Sequence, residues 1–324
     1  MAEMKNILVI GATGQIGSDL VPELRKIYGN EHVVAVGSKT APSEELKKGP
    51  FEFADATDKS ALEAIVKKYD IDTVYHLASL LSAKGEQNPD LAWHVNMQSL
   101  KNVLDLAKEY KMTRVFWPSS IAAFGPTTPR EKTPQRTVLE PTTMYGVTKV
   151  SGELLCQYYF YKYGVDVRSL RYPGLISYKA LPGGGTTDYA VAIYYEALQH
   201  KRYTCFVRED TVLPMMYMDD AIRGTIELMK APASKITVRT SYNFAAISFS
   251  AKELAASVKK YIPEFKCEYK PDFRQKIADS WPKSIDDSQA RKDWGWKHEY
   301  TLDRMTRVML EKLSEKLGIE MAIA

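Results

Sequence analysis

The sequence predicts an α/β fold in which a doubly wound, mostly parallel sheet carries a smaller α+β lobe at its C-terminal end. From residue 5 to about residue 170, short apolar runs alternate with longer stretches of helical periodicity, which is typical of βα units. After residue 170 turn-forming residues accumulate and only short strand candidates follow. The length of 324 residues suits about two domains. We expect residues 1–171 to form the sheet domain, to which part of 205–245 returns, and 172–324 to form the lobe.

Each predicted element depends on a local pattern. The first strand, 5–10, contains a run of Ile, Leu and Val that a glycine-rich turn and a helix follow. The helix at 59–69 begins after the capping residue Asp58, and its apolar residues recur at helical spacing. Further strands are predicted at 33–37, 51–53, 73–77, 114–119, 165–170, 212–217, 242–245 and 266–270. Further helices are predicted at 90–110, 145–163, 188–200, 219–230, 250–261 and 302–316, with a loop at 172–188.

Composition argues against several classes of protein. The chain has 44 Lys and Arg and 40 Asp and Glu, a net charge of +4 with both signs interspersed, which disfavours a nucleic-acid-binding surface. The 3 cysteines form no C-x-x-C pair and the 5 histidines are scattered, so no disulfide framework or metal site is predicted. Apolar runs fall short of the about 18 residues of a membrane span. We therefore expect a cytoplasmic protein, with an organellar form after removal of a transit peptide left open.

A glycine-rich turn follows the first strand. Its G-x-x-G-x-x-G spacing, between a strand and an amphipathic helix, lets backbone amides and the helix N-terminus face a pyrophosphate. The sequence therefore predicts a Rossmann-like dinucleotide site. The contacts expected from this turn are Gly11, Thr13, Gly14, Gln15, Ile16 and Gly17.

The second strand lacks the acid that a dinucleotide site usually carries about 20 residues after the glycines. It ends instead in Ser38 and Lys39. Ser38 could bond either cofactor and Lys39 could neutralise a 2′-phosphate, so these residues leave the choice between NAD and NADP open. Asp55 and Ala56 follow the third strand and are expected near the adenine; the alternative for Asp55 is a loop or helix-capping acid.

Two further motifs predict a proton-transfer site. Tyr145 and Lys149 lie at positions i and i+4 of a helix and so share one face. A neighbouring cation favours phenolate, which makes the tyrosine a usable general base. Ser119 and Ser120 lie at the end of the strand 114–119, and the carboxyl ends of parallel strands line the ligand crevice. We expect Ser120, Tyr145 and Lys149 to be catalytic, with Ser119 as the weaker candidate.

Together these motifs resemble the extended short-chain dehydrogenase/reductase family. The resemblance covers essentially the whole chain and includes the three glycines, the run His76-Leu77-Ala78, Asn96, Ser120 before Gly125, and Tyr145 with Lys149. The step from Leu213 to Ala221 is also similar to the family's strand-to-helix step in the C-terminal lobe. The resemblance implies that Leu77, Ala78, Asn96, Tyr145, Lys149 and Leu175 contribute to the cofactor site.

Within that family, three stretches resemble the short-chain type of L-threonine 3-dehydrogenase. They are 170–177, 182–189 and the tryptophan-containing segments of 278–296. Pro173-Gly174-Leu175-Ile176 stands where sugar-nucleotide enzymes usually carry an Asn-x-Tyr-Gly-Pro-like run. The resemblance implies NAD-dependent oxidation of L-threonine at C3 to 2-amino-3-oxobutyrate. A sugar-nucleotide epimerase or dehydratase, and a non-catalytic NAD(P)-sensing protein, are the alternatives.

The candidates for holding threonine lie in two loops. Its ammonium and carboxylate groups are expected at Ser82, Thr186, Thr187 and Asp188, and the further substrate-binding candidates are Ser119, Tyr145 and Gly184. Residues 183–185 could supply backbone amides and a hinge, and Asp188 could alternatively cap the helix that follows it. The apolar and aromatic faces of helices 90–110 and 145–163 are more than one sheet surface covers, and the family resemblance suggests a homodimer through a four-helix bundle. The alternative is that these aromatic residues are buried within the lobe.

Overall fold

The computed structural model describes residues 3–179, 181 and 183–320. Its strands are β1 (Ile7–Ile10), β2 (Val33–Gly37), β3 (Phe51–Phe53), β4 (Thr73–His76), β5 (Arg114–Phe116), β6 (Ser119–Ser120), β7 (Val167–Arg168), β8 (Leu170–Tyr172), β9 (Gly174–Ile176), β10 (Arg202–Cys205), β11 (Val212–Tyr217), β12 (Tyr242–Asn243), β13 (Ile247–Ser250) and β14 (Lys266–Tyr269). Its α-helices are α1 (Gln15–Tyr28), α2 (Lys59–Lys68), α3 (Ser82–Gln87), α4 (Pro89–Glu109), α5 (Met144–Tyr163), α6 (Tyr189–His200), α7 (Met218–Lys230), α8 (Ala251–Tyr261), α9 (Arg274–Asp279), α10 (Ser288–Trp294) and α11 (Leu302–Leu317).

The main sheet has six parallel strands in the order β3-β2-β1-β4-β5-β7. Its central strands are buried along their whole length, as expected for a parallel sheet covered by helices on both faces. The strand order reverses between β1 and β4, and the crevice at such a switch point is where α/β sheets bind ligands. The predicted α/β fold class is confirmed.

Three small sheets complete the fold, and they correct part of the predicted strand pattern. The strand predicted at 114–119 ends at Phe116, and Ser119–Ser120 pairs with β8 instead of with the main sheet. The strand predicted at 165–170 likewise divides into β7 and β8. The predicted loop 172–188 contains β9, because Gly174–Ile176 finds a parallel partner in β11. Short strands of this kind depend on distant partners, which local periodicity does not reveal.

Two apolar cores lie on the faces of the main sheet and a third fills the lobe. On one face α1 packs beside α7, with Leu20, Leu24, Leu228 and Phe244 in a single cluster. The other face packs against α2, α4 and α5. The lobe core draws on α6, α8 and α11. Within the described part of the chain, no helix combines the length and apolar character needed to cross a membrane.

Candidate active site

The turn between β1 and α1 needs glycine at two positions for different reasons. Gly11 has a φ of +84°, and a Cβ there would lie 2.8 Å from the Ala78 nitrogen. A Cβ on Gly17 would lie 2.4 Å from the Gly11 carbonyl oxygen, so α1 packs directly onto the turn. A Cβ on Gly14 would meet only the Gly11 carbonyl oxygen, at 3.3 Å. Gly14 therefore leaves the approach to the helix N-terminus open.

The N-terminus of α1 suits a phosphate group. Gly14 is its N-cap residue, no side chain caps the helix, and no acidic residue lies in its first turn. The first amides of a helix lack partners within it and carry a partial positive charge. An open glycine in front of uncapped amides fits the pyrophosphate of a dinucleotide.

At the adenine end of the crevice, Ser38 and Lys39 are exposed beyond β2. Asp55 follows β3 and accepts hydrogen bonds at Oδ1 from the Thr57 amide, 2.9 Å, and the Thr57 hydroxyl, 2.8 Å. The backbone hydrogen bond from Thr57 holds the pKa of Asp55 below its usual value. Asp58, whose carboxylate accepts from the Ala61 amide at 3.1 Å, caps α2. Asp55 is thus an ionised residue of the loop before that helix.

The three predicted catalytic residues line one cleft. Gln15, Ile16, Leu77 and Leu175 also line it, and so do Ser82, Thr186, Thr187 and Asp188. Thr143 caps α5 immediately before this site, its hydroxyl accepting from the Gly146 amide.

Lys149 is fixed by contacts on two sides. Its Nζ donates to the Pro118 carbonyl at 2.7 Å. The same nitrogen lies 4.6 Å from the centre of the Trp117 ring and 5.2 Å from the centre of the Tyr145 ring. The predicted Tyr145 and Lys149 pair therefore lies side by side on α5, where it meets β6.

Burial is the main cause of the pKa shifts of Tyr145 and Lys149. It raises the pKa of Tyr145 to about 12, against a hydrogen bond with Ser120 that lowers it. Burial also lowers the pKa of Lys149 to about 7, opposed by Cys156 and Glu153. The expected lowering of the tyrosine pKa by its lysine neighbour is not seen: burial of the phenolate is the largest cause of the shift, and the hydrogen bond with Ser120 is the cause that opposes it.

The two neighbouring serines have different environments. The Ser119 hydroxyl donates to Glu153 Oε1 at 2.6 Å. Glu153 also accepts two hydrogen bonds from Arg171, at 2.9 and 2.7 Å, and both partners are almost fully buried. Ser120 Oγ accepts from the Ala122 amide at 3.1 Å and remains half-buried in the cleft. Both serines line the cleft, but Ser120 is the one that hydrogen-bonds Tyr145, whereas the Ser119 hydroxyl belongs to a buried ionic network.

The oxygen and the nitrogen of the Asn96 side-chain amide are both hydrogen-bonded to other residues of the protein. Its Oδ1 accepts from the Leu80 amide at 2.8 Å and from the Ser79 hydroxyl at 3.1 Å. Its Nδ2 donates to the Leu80 carbonyl, 3.2 Å, and to Thr148 Oγ1, 3.1 Å. Asn96 therefore ties the loop after β4 to α5 and does not line the cleft. Ala78, which precedes that loop, packs closely on Gly11.

The loop before α6 satisfies much of its own hydrogen bonding. Asp188 Oδ2 accepts from the amides of Gly184 and Gly185, both at 2.8 Å. These two amides are consequently taken, contrary to the expectation that residues 183–185 offer amides to a substrate. Asp188 occupies the N-cap position of α6, as the alternative expected, but its side chain makes no capping hydrogen bond there. Ser82 and Thr186 bond to one another at 3.1 Å, and Pro182 lies outside the described residues.

Sequence reasoning missed several residues of the cleft. Tyr172, Pro173 and Gly174 line it from the carboxyl end of β8, a position that the strand pattern could have indicated. Trp281 reaches it from the segment after α9, and no local pattern marks that residue. The remaining missed residues are Ser79, Leu81, Pro118 and Ile121.

This fold and site define a Rossmann-type protein of the extended short-chain dehydrogenase/reductase class. The chain matches the model of the NAD dependent epimerase/dehydratase family over residues 7–245, and it belongs to that family. Membership of this family implies a nicotinamide cofactor.

Similar proteins divide into uncharacterised relatives and solved dehydrogenases. An uncharacterized epimerase/dehydratase of Staphylococcus haemolyticus is 51% identical over 316 residues, which cover 97% of this chain and 99% of the relative. The structure of L-threonine dehydrogenase from Clostridium difficile is 55% identical, with a TM-score of 0.95 over 98% of this chain and 100% of that one. A monomeric L-threonine 3-dehydrogenase from a metagenome is 49% identical, with a TM-score of 0.93 over 96% of this chain and 99% of that one.

Proposed function

We propose that this protein oxidises L-threonine at C3 to 2-amino-3-oxobutyrate with NAD. The observation that carries the proposal is the convergence of Ser120, Tyr145 and Lys149 on one cleft that Thr187 and Asp188 also line. The likeness to solved L-threonine dehydrogenases at about half identity supports the substrate. NAD, when bound, supplies the acceptor for the hydride that leaves C3.

Residues of the protein itself position the C3 hydroxyl and accept its proton. Tyr145 accepts the proton of the C3 hydroxyl in its phenolate form, which the hydrogen bond from Ser120 and a charged Lys149 favour against the burial that raises its pKa, and Ser120 orients the substrate hydroxyl. Lys149 lies 5.2 Å from the tyrosine ring and stabilises the phenolate when charged. Burial within the cleft keeps water away from the reacting atoms.

The ammonium and carboxylate groups of threonine are assigned to Ser82, Thr186, Thr187 and Asp188. Asp188 uses Oδ2 for two glycine amides, which leaves Oδ1 to accept from the substrate ammonium. Ser82, Thr186 and Thr187 hold the substrate carboxylate in this proposal. The mutual bond of Ser82 and Thr186 would then position both hydroxyls. In this proposal residues 1–171 bind the cofactor and residues 172–324 mainly bind substrate.

The cofactor is assigned to the turn before α1 and to the residues that follow the neighbouring strands. Gly14 and the first amides of α1 would hold the pyrophosphate, and Ser38 the adenine ribose. Asp55 and Ala56 would lie near the adenine. Lys39 is exposed next to Ser38, so binding of NADP is part of the test.

The test is the initial rate of reduced-cofactor formation with L-threonine, measured with NAD and with NADP. Serine and allo-threonine serve as comparators, and Tyr145→Phe as the control variant. We expect turnover with threonine and NAD, and a loss of at least about 100-fold in the variant. Full activity of the variant would remove the assigned base, and absence of threonine oxidation with both cofactors would remove the substrate.

A second candidate is sugar-nucleotide epimerisation or dehydration, which the name of the family and of the curated relatives favours. A UDP-sugar is therefore included in the same assay, with product analysis by chromatography. Conversion of the sugar without net reduction of added cofactor would favour this candidate over threonine oxidation.

We also propose that the protein forms a homodimer through α4 and α5. On α5, Val147, Leu154, Tyr158 and Tyr161 form a stripe at helical spacing and are 37%, 58%, 52% and 70% exposed. Trp93 on α4 is 46% exposed, whereas Tyr159 is buried. A contiguous apolar face of this kind is typical of a subunit interface. Light scattering at micromolar concentration should give a dimer mass that Leu154→Lys lowers; a monomeric wild type would contradict the proposal.

A further inference from the structure

One face of α1 contacts residues 175–179, which precede the proposed substrate-binding residues 186–188. Gln15 Nε2 donates to the Leu175 carbonyl at 3.3 Å. One turn further along, Asp19 Oδ2 accepts from the Ser177 hydroxyl at 2.9 Å, and Asp19 Oδ1 lies 2.7 Å from Lys179 Nζ. Residues i and i+4 of a helix share a face. The contacts therefore form a regular seam between α1 and residues 175–179.

Asp19 is so deeply buried that its carboxylate needs hydrogen-bonding or charged partners. Only 3% of the residue is exposed, and burial raises the pKa of Asp19 against hydrogen bonds from Lys179 and Ser177 that lower it. A buried carboxylate without partners is strongly disfavoured, so the position of Asp19 dictates the positions of Ser177 and Lys179.

The segment 177–179 is also held from the lobe. Lys316 on α11 donates to the carbonyl oxygens of Tyr178 and Lys179, both at 3.0 Å. The segment thus lies between α1, which begins at the proposed pyrophosphate site, and α11. A few residues further on the chain reaches residues 185–188, which line the cleft. Tyr195, on the helix that begins directly after Asp188, also donates to the Tyr178 carbonyl at 3.3 Å, so a shift at 177–179 would move residues 186–188 relative to the proposed cofactor site.

We infer that Asp19 is a positioning residue: through Ser177 and Lys179 it sets the placement of Thr186, Thr187 and Asp188 relative to the cofactor helix. Asp19 does not itself line the active-site cleft; it lines a separate cleft between α1 and α7. Its effect on catalysis rests on the proposed function, whereas its effect on the loop does not.

Hydrogen exchange in the full-length protein with NADH tests the placement directly. The amides of Gly184 and Gly185 donate to Asp188, and that of Thr186 to Ser82, so their exchange reports the folded loop. Asp19→Asn and Lys179→Met should each accelerate this exchange by at least about tenfold. Lys179→Arg, which keeps the charge at a side chain that is 34% exposed, should restore slow exchange.

Glu23→Gln is the matched control, since Glu23 lies one turn beyond Asp19 and pairs with exposed Lys26. It should leave the exchange unchanged. Wild-type exchange in both Asp19→Asn and Lys179→Met would overturn the inference, as would an equal acceleration in Glu23→Gln. Because Lys179 is partly exposed, its variant tests the idea even if Asp19→Asn does not fold.

Kinetics distinguish positioning from a general structural role. Asp19→Asn should lower kcat/KM for L-threonine by about tenfold or more, while the affinity for NADH stays within about twofold of wild type. An equal loss in NADH affinity would overturn the positioning role. If the wild type does not oxidise threonine, the exchange experiment still decides the inference, because it needs no substrate.

Discussion

The Ser119 hydroxyl donates a 2.6 Å hydrogen bond to Glu153. Glu153 is one turn beyond Lys149 on α5 and is paired with Arg171 in the interior. The bond connects the end of the strand pair β6 and β8 to the helix that carries Tyr145. The Ser119 hydroxyl is therefore engaged within the framework, whereas the Ser120 hydroxyl lies beside Tyr145 in the cleft.

Alanine substitutions of these two serines should therefore have opposite signatures. Ser120→Ala removes the hydroxyl beside Tyr145, and we expect kcat with L-threonine to fall about 100-fold or more with little change in unfolding temperature. Ser119→Ala leaves a buried carboxylate with one partner fewer and should cost about 1–3 kcal/mol of stability. Turnover and thermal unfolding of both variants check this. A larger loss of turnover in Ser119→Ala would reverse the assignment.

The glycine turn offers a second matched pair. Gly14→Ala places its methyl group where only one backbone oxygen is near, so the fold should persist while NADH binding weakens. Gly17→Ala drives its methyl group to 2.4 Å from the Gly11 carbonyl oxygen and should destabilise the fold by about 1–3 kcal/mol or more. Chemical denaturation and NADH fluorescence titration separate the two effects. Wild-type NADH affinity in Gly14→Ala would argue against a pyrophosphate at this helix end.

Cofactor preference is expected to depend on Ser38. Ser38→Asp places a carboxylate at the end of β2, where it would accept from ribose hydroxyls and repel a 2′-phosphate. We expect any activity with NADP to fall at least about tenfold while activity with NAD is kept. The ratio of kcat/KM for the two cofactors measures this, with Ser38→Asn as the uncharged control. An equal change of both activities would place the ribose elsewhere.

The parts of the molecule that could be predicted are those that depend on neighbours in sequence. The turn containing Gly11 and Gly17 follows an apolar strand directly, and Tyr145 and Lys149 are spaced by one helical turn, so both patterns are local. Ser119 could not be separated from Ser120, because its partner Glu153 lies 34 residues away. The Asp19 to Ser177 bond spans 158 residues and depends on how α1 packs against the lobe.

Buried Lys149 should lower the free energy of unfolding by an amount that depends on pH. Burial lowers its pKa to about 7, below its ordinary value of 10.5, so between these values the unfolded chain binds more protons than the folded one. The free energy of unfolding contributed by this group therefore rises with pH across that window, and the penalty is largest below it. Lys149→Met removes the penalty, and we expect the variant to be inactive but more stable than wild type at pH 7 by at least about 1 kcal/mol. The difference should shrink as pH approaches 10.5, because wild-type Lys149 then becomes neutral in both states. Denaturation of both proteins across this pH range measures it. A stability difference that does not vary with pH would show that Lys149 keeps its ordinary pKa in the fold.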